Sequence, residues 1–174
     1  MTNAKTKTKI SPERDHFLLI KRSGFLSNHS AVSATEGAKA LLKAGVWPLW
    51  RNTKCKNMVR SGHRVLIYLA GPESDCGNVI ASAVISGVVD WEDRKHRRGY
   101  PLMIDGEPLK ALLLEKVSVF DKPVSVSDRL DHLSFIPENK KKWGVAMMGG
   151  MRSLTDSDFM VLCGTNIPQQ PAVA

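Results

Sequence analysis

The chain has 174 residues and a mass of 19.2 kDa, the size of one domain, long enough to bury about 70% of its unfolded surface without disulfide or metal staples. Its 43% hydrophobic and 24% charged residues exclude a disordered chain, a coiled coil and a collagen-like repeat. Lys plus Arg number 25 against 17 Asp plus Glu, a formal net charge of +8, which points to a polyanionic partner, nucleic acid first, with plain solubility as the competing reading.

Residues 1–14 are polar and basic, carry Lys5, Lys7 and Lys9, and have nothing to bury; they are expected to form a disordered arm. They lack the apolar core of a secretory signal, and no apolar run approaches the ~18 residues of a membrane span, so neither export nor a membrane partner is expected. Phe17-Leu18-Leu19-Ile20 predicts a buried first strand that ends at Lys21-Arg22-Ser23-Gly24. Residues 33–43 begin with Ser33 and place Glu36 three positions later, a capping box, and Ala34, Ala38, Leu41 and Leu42 form one apolar face of a helix that Gly45 stops. Trp47 and Trp50 follow in a segment read as a Gly- and Pro-containing loop.

Val65 to Leu69 predicts a strand ended by Gly71-Pro72, and residues 79–89 a second, in which Gly87 marks a bulge or close approach. Trp91 and the cluster Arg94 to Arg98 read as a connecting loop. Residues 111–120 predict a strand ended by Pro123, and 125–133 a short helix capped by Ser125 or Ser127. Lys140-Lys141-Lys142 reads as a solvated helix face, Val145 to Met148 as a short strand, and Thr155 onward as a last helix. Residues 164–174 hold two prolines and read as a flexible tail, leaving a folded unit at 15–163. The mixture of non-local strands and short helices argues for an α+β fold built on a small, partly closed barrel.

Chemistry is best sought at the tryptophans. The sequence has no phosphate-binding loop, dinucleotide fingerprint, nucleophile elbow or paired-histidine zinc motif, and no cofactor is expected. Cys55, Cys76 and Cys163 are odd in number and widely spaced, which fits free thiols in a reducing cytoplasm and no metal. Gly149-Gly150 suits a tight turn better than a phosphate cradle. Indoles at strand ends can wall a flat ligand, although the same ring can equally plug one end of a barrel. Around Trp47 and Trp50 stand Arg51, Asn52, Lys54, Lys56, Asn57 and Arg60, amides for a base edge and cations for phosphate. Beside Trp91 stand Arg94, Lys95, His96, Arg97 and Arg98, a phosphate-contacting run or a solvated face. Trp143 reads as a core residue. Lys21 with Glu115 could serve as a base and its electrostatic partner, against the simpler reading of a strand-end lysine and a surface glutamate.

The order Leu133-Ser134-Phe135-Ile136, Asn139-Lys140, Trp143-Gly144, Gly150-Met151-Arg152 and Leu154-Thr155-Asp156-Ser157-Asp158-Phe159 resembles the C-terminal signature of EVE-domain proteins. Met58 to Tyr68 is similar to that family's M-x-x-G-D-x-x-x-x-Y segment, with His63 where Asp is usual, and Val79 to Gly87 resembles the strand after it. The likeness spans about 17–162; Val145 to Met148 departs from it in lacking aromatics. It implies a PUA-like mixed-strand pseudobarrel flanked by short helices, with YTH, ASCH and SRA domains as relatives. It also implies a non-catalytic pocket for a modified DNA or RNA base. By similarity to the YTH arrangement, Trp47 and Trp91 would cage the base with Asn52 and Asn57 as polar readers. Ser23 and His29 would correspond to a short polar stretch after the first strand.

The combined expectation is a base pocket of Ser23, Trp47, Trp50, Asn52, Asn57 and Trp91, with Arg51, Lys54, Lys56, Arg94, Lys95, Arg97 and Arg98 on phosphate. A separate nuclease or RNA-processing protein could act with such a module. Two alternatives stay open: a small ASCH-like nucleoside amidohydrolase using Lys21 and Glu115, and a protein-interaction subunit with a vestigial pocket.

Overall fold

A computed structural model describes residues 16–26, 29–97 and 106–166. The expected arm at 1–14, most of the expected tail and Arg98 lie outside them. Eight strands, β1 (His16–Arg22), β2 (Gly24–Phe25), β3 (Ala31–Val32), β4 (Val46–Leu49), β5 (Arg64–Ala70), β6 (Asn78–Asp90), β7 (Lys110–Ser125) and β8 (Met151–Leu154), alternate with short helices. These helices are α1 (Ala34–Ala44), α2 (Asp93–His96), α3 (Asp156–Cys163) and two 3-10 helices, Ser127–His132 and Lys140–Met147. Six strands form one curled sheet in the order β4-β7-β6-β5-β1-β8; β2 and β3 pair separately. Only β1 and β5 pair in parallel, with Phe17 opposite Val65; the other ladders of this sheet are antiparallel.

The period of two along β1 and β5 divides the core between the faces of the sheet. Phe17, Leu19, Val65, Ile67 and Leu69 pack with Ala38 and Leu41 of α1 and with residues of the remaining strands. Leu18, Ile20, Leu66 and Tyr68 pack on the other face with Phe159 and Leu162 of α3. Because both faces of β1 are covered, its sequence is a continuous apolar run rather than an alternating one.

Local signals explain the helices. Ser33 caps α1, its hydroxyl accepting from the Glu36 amide while the Glu36 carboxylate accepts from the Ser33 amide, and Gly45 ends the helix in the left-handed region. Thr155 and Asp158 form the same reciprocal box on α3. The expected irregularity at Gly87 is a register shift of β6 against β7, where the glycine passes close to the Leu113 side chain.

Four expectations are corrected. Trp47 is not in a loop: it lies in β4, an edge strand that tolerates Pro48 because its other side has no ladder partner. β7 does not stop at Pro123, since Val119 and Val124 pair with Ala81 and Val79, and the extra residues between them bulge out of the ladder. Val145 to Met147 belong to a 3-10 helix; the strand edge beside β1 is taken instead by β8, which the sequence reading missed. The 3-10 helix Ser127–His132 has no side-chain cap, because its N-cap position falls on Val126, between the two serines, whose hydroxyls bond to each other. No helix among the described residues is long and apolar enough to cross a membrane.

Candidate nucleic-acid interface

The sheet curls without closing. The C-terminal half of β1 extends past β8, and β4 forms the opposite edge. Two backbone bonds bridge the seam: the Lys54 amide donates to the Gly149 carbonyl at 2.9 Å and the Ile20 amide to the Gly150 carbonyl at 2.9 Å. Both glycines have positive φ, so Gly149-Gly150 is the tight turn the sequence favours.

Beside this bridge lies a cavity of about 440 Å³, within the size range of small-molecule sites. β1 and the residues after it supply Lys21, Arg22 and Ser23; β4 and its following turn supply Trp47, Trp50, Arg51, Asn52 and Thr53; Glu107 and Gly150 complete the rim. The turn is closed twice, by the Thr53 amide on the Trp50 carbonyl and by the Trp50 amide on the Thr53 hydroxyl. The Trp50 indole donates to the Gly106 carbonyl at 3.3 Å, which holds the half-exposed ring at the mouth. Trp47 is 3% exposed, so it belongs to the floor and the core. Lys21 is 8% exposed; its ammonium donates to the Arg22 carbonyl at 2.6 Å and lies against Gly37 of α1. Three cations against one carboxylate make the lining electropositive.

The structure thus gathers Ser23, Trp47, Trp50 and Asn52 of the expected base pocket, and Arg51 of the expected phosphate set, around one cavity. Ser23 also bonds to Glu73, whose carboxyl is held below its usual range by its own backbone amide first, then by the Cys76 thiol and Ser23. Lys54 stands on the far side of the bridge; Lys56 and Asn57 follow in the next turn, and the Asn57 carbonyl accepts from Arg60. None of these three lines the cavity, nor does the exposed His29.

Trp91 is elsewhere. It follows β6, its amide donates to the Leu109 carbonyl, and its indole donates to Asp93 beside the buried His96. Trp91 is not among the residues that line the cavity above Trp47. Arg94, Lys95 and Arg97 stand on or just after the one-turn α2 instead of in an open loop, with Arg97 paired to Asp93. Glu115 is exposed on β7 opposite Val84 and does not meet Lys21 in the cavity. Trp143 packs against the α3-side core, as expected.

His63, the departure from the EVE pattern, still serves its turn: its Nδ1 accepts from the Arg60 amide at 3.1 Å while its ring stacks on Phe17. Arg22, Thr53 and Glu107 are missing from the predicted sites, and Lys21 enters them only as the base of the enzyme alternative. For Lys21 a signal existed, a lysine completing an otherwise apolar buried strand.

Neither the protein-family models nor the curated protein sequences contain a match to this chain. Solved structures do match. An ASCH point mutant from Zymomonas mobilis aligns with 89% of this chain and 99% of its own, at 15% identity and a TM-score of 0.59. Human THYN1, solved in complex with 5-methylcytosine containing DNA, aligns with 89% of this chain and 99% of its own, at 14% identity and a TM-score of 0.54. Protein Atu2648 from Agrobacterium tumefaciens aligns with 90% and 98%, at 14% identity and 0.53. The chain has the PUA-like fold. Its architecture matches those of the ASCH and THYN1 structures, as the sequence resemblance implied.

Proposed function

We propose that this protein is a non-catalytic nucleic-acid reader that admits one DNA or RNA base, in a modified form, into the seam cavity. The observation that carries the reading is the convergence of Trp50, Asn52, Ser23 and Arg51 on a cavity of about 440 Å³ in an electropositive rim. Trp50 offers an indole face, Asn52 can both donate to and accept from a base edge, and Arg51 and Lys54 meet the backbone phosphates. Trp47 forms the floor. Lys56 and Asn57 extend the basic surface past the bridge, and Trp91 with Arg94, Lys95 and Arg97 forms a separate patch for backbone contact. A base taken from a stack costs a few kcal/mol, which stacking on Trp50 and edge hydrogen bonds offset. Human THYN1, with the same fold, is bound to 5-methylcytosine DNA, which supports the reading. The module would act beside a separate nuclease or RNA-processing protein in a reducing cytoplasm, where its three free thiols persist.

The test is a titration of tryptophan fluorescence with short single- and double-stranded DNA and RNA carrying unmodified, methylated and hydroxymethylated bases, at two salt concentrations. Quenching selective for one modification is expected. Salt-sensitive binding without selectivity would reduce the site to a generic basic surface.

One observation favours a second reading. Lys21 reaches the cavity nearly buried, with Glu107 on the same rim, so a nucleoside amidohydrolase would use Lys21 and Glu107 in place of the separated Lys21 and Glu115. Release of acetate from an acetylated nucleoside, lost in Lys21→Ala, would select it.

A further inference from the structure

On the opposite side of the Lys54–Gly149 bridge lies a second cavity, of about 330 Å³. The wall between the two is one residue thick along both of its chains. Thr53 and Gly150 face the first cavity, while their neighbours Lys54 and Met151 face the second. Its lining joins the apolar side chains Phe135, Val145, Met148 and Met151 to two cations, Lys54 and Arg152, with no carboxylate or amide side chain. Val145 and Met148 stand on it, 61% and 49% exposed, although both are side chains that ordinarily seek burial. Phe135 stands on another side, with the Arg152 guanidinium held 4.3 Å over the ring and tied to the Ala146 carbonyl.

Lys54 crosses the top of this wall. A methyl group at Gly149 would stand 2.6 Å from Lys54 Cδ and 2.8 Å from its Cγ and Cε, so the aliphatic stem lies flat on the glycine. That absence of a side chain puts a cation on the ridge beside the second cavity.

We infer that the second cavity is a subsite for the nucleotide next to the one read in the seam, with its base against Val145 and Met148 and the linking phosphate on Lys54. The inference rests on the reader function proposed above. Continuity with that site and complementarity of Lys54 and Arg152 to a polyanion favour a nucleic-acid occupant. An apolar wall without exposed amides or carboxylates would accept any base, since every base has an apolar face. Recognition of one base would thus be joined to sequence-tolerant capture of its neighbour.

The experiment uses the full chain and two probes: a fluorescein-labelled single-stranded DNA dodecamer with one central 5-methylcytosine, and 5-methyl-deoxycytidine monophosphate alone. The double variant Val145→Ser, Met148→Ser alters only exposed side chains. It should weaken dodecamer binding about tenfold and leave monophosphate binding unchanged. Lys54→Gln should lower the slope of log affinity against log salt for the dodecamer by about 0.7, the release expected for one single-strand phosphate. Unchanged dodecamer affinity in the double variant overturns the subsite and leaves the reader function standing. If Trp50→Ala also leaves dodecamer binding unchanged, the reader function falls and the subsite with it.

Discussion

Gly37 of α1 leaves the space that the side chain of Lys21 fills: a methyl group at Gly37 would stand 2.7 Å from Lys21 Cε and 3.2 Å from Nζ. A helix-interior glycine costs about 1 kcal/mol relative to alanine, so this one has a packing reason to be there. It lets a lysine occupy the layer between helix and strand with its charge at the cavity wall.

Gly37→Ala should therefore divide stability from binding. The gain in helix propensity offsets the displacement of Lys21, and the free energy of urea unfolding should change by less than about 1 kcal/mol. Affinity for the best ligand of the fluorescence panel should fall several-fold. Undiminished affinity would remove Lys21 from the site.

Trp50 is the more exposed of the two cavity indoles, and its substitution should be tolerated by the fold. Trp50→Ala should cost about tenfold to a hundredfold in affinity for the preferred modified base, the worth of one base–aromatic stack, and abolish discrimination between modified and unmodified probes. Trp91→Ala should leave discrimination intact, and titration of both variants against the same pair of probes decides the matter.

The charge on Arg51 should appear in the salt dependence. Arg51→Ala is expected to lower the single-strand salt slope by about 0.7 without changing which base is preferred. A changed preference at constant slope would make Arg51 a base reader instead.

Asp158, 2% exposed, ties α3 to the segment after the first 3-10 helix: Oδ1 accepts from the Ser134 amide and Oδ2 from the Ser134 hydroxyl, both at 2.7 Å, and Oδ2 also accepts from the Thr155 amide. Burial pushes this carboxyl up, but the Ser134 and Thr155 bonds outweigh it and hold it below the usual range. A carboxyl with a lowered folded-state value stabilises the protein above its unfolded value, about pH 4, and that contribution is lost as pH falls through the folded value. Asp158→Asn should cost about 2 kcal/mol at pH 7 in urea unfolding, with the gap to the parent narrowing below pH 4. A gap independent of pH would contradict the assignment.

The thiols should separate by environment. Burial, and for Cys76 the neighbouring Glu73 as well, pushes Cys76 and Cys163 up to about 11. Both should alkylate slowly with iodoacetamide at pH 8 in the folded protein and rapidly in urea, as mass mapping would record. Fast labelling of Cys163 in the native state would mean that α3 opens readily.

Much of this fold can be read locally. Ser33 with Glu36 marks the start of α1, Gly45 its end, and the unbroken run at Phe17 a strand covered on both faces. β4 escapes such reading because a four-residue edge strand containing Pro48 carries the composition of a turn. β8 escapes it because Met151-Arg152-Ser153-Leu154 is short and mixed, and becomes a strand only through the free edge of β1. The site divides the same way. Trp50, Arg51 and Asn52 share one turn and announce themselves together, whereas Glu107 reaches the cavity through the curl of the sheet, which no local pattern records. Trp91 is joined to Trp47 only by the resemblance to the YTH arrangement, and it does not line the cavity.

The placement of β1 also has a consequence for biosynthesis. Its inner neighbour β5 is made soon after it, but its outer neighbour β8 is near the other end of the described chain. Until Met151–Leu154 leaves the ribosome, the backbone of His16–Leu19 presents an unpaired edge, and the Leu18 side of the sheet waits for α3 to cover it. A nascent chain in that state exposes both a strand edge and an apolar face, the two features that chaperones shield, so this fold should be completed only once β8 and α3 have been made.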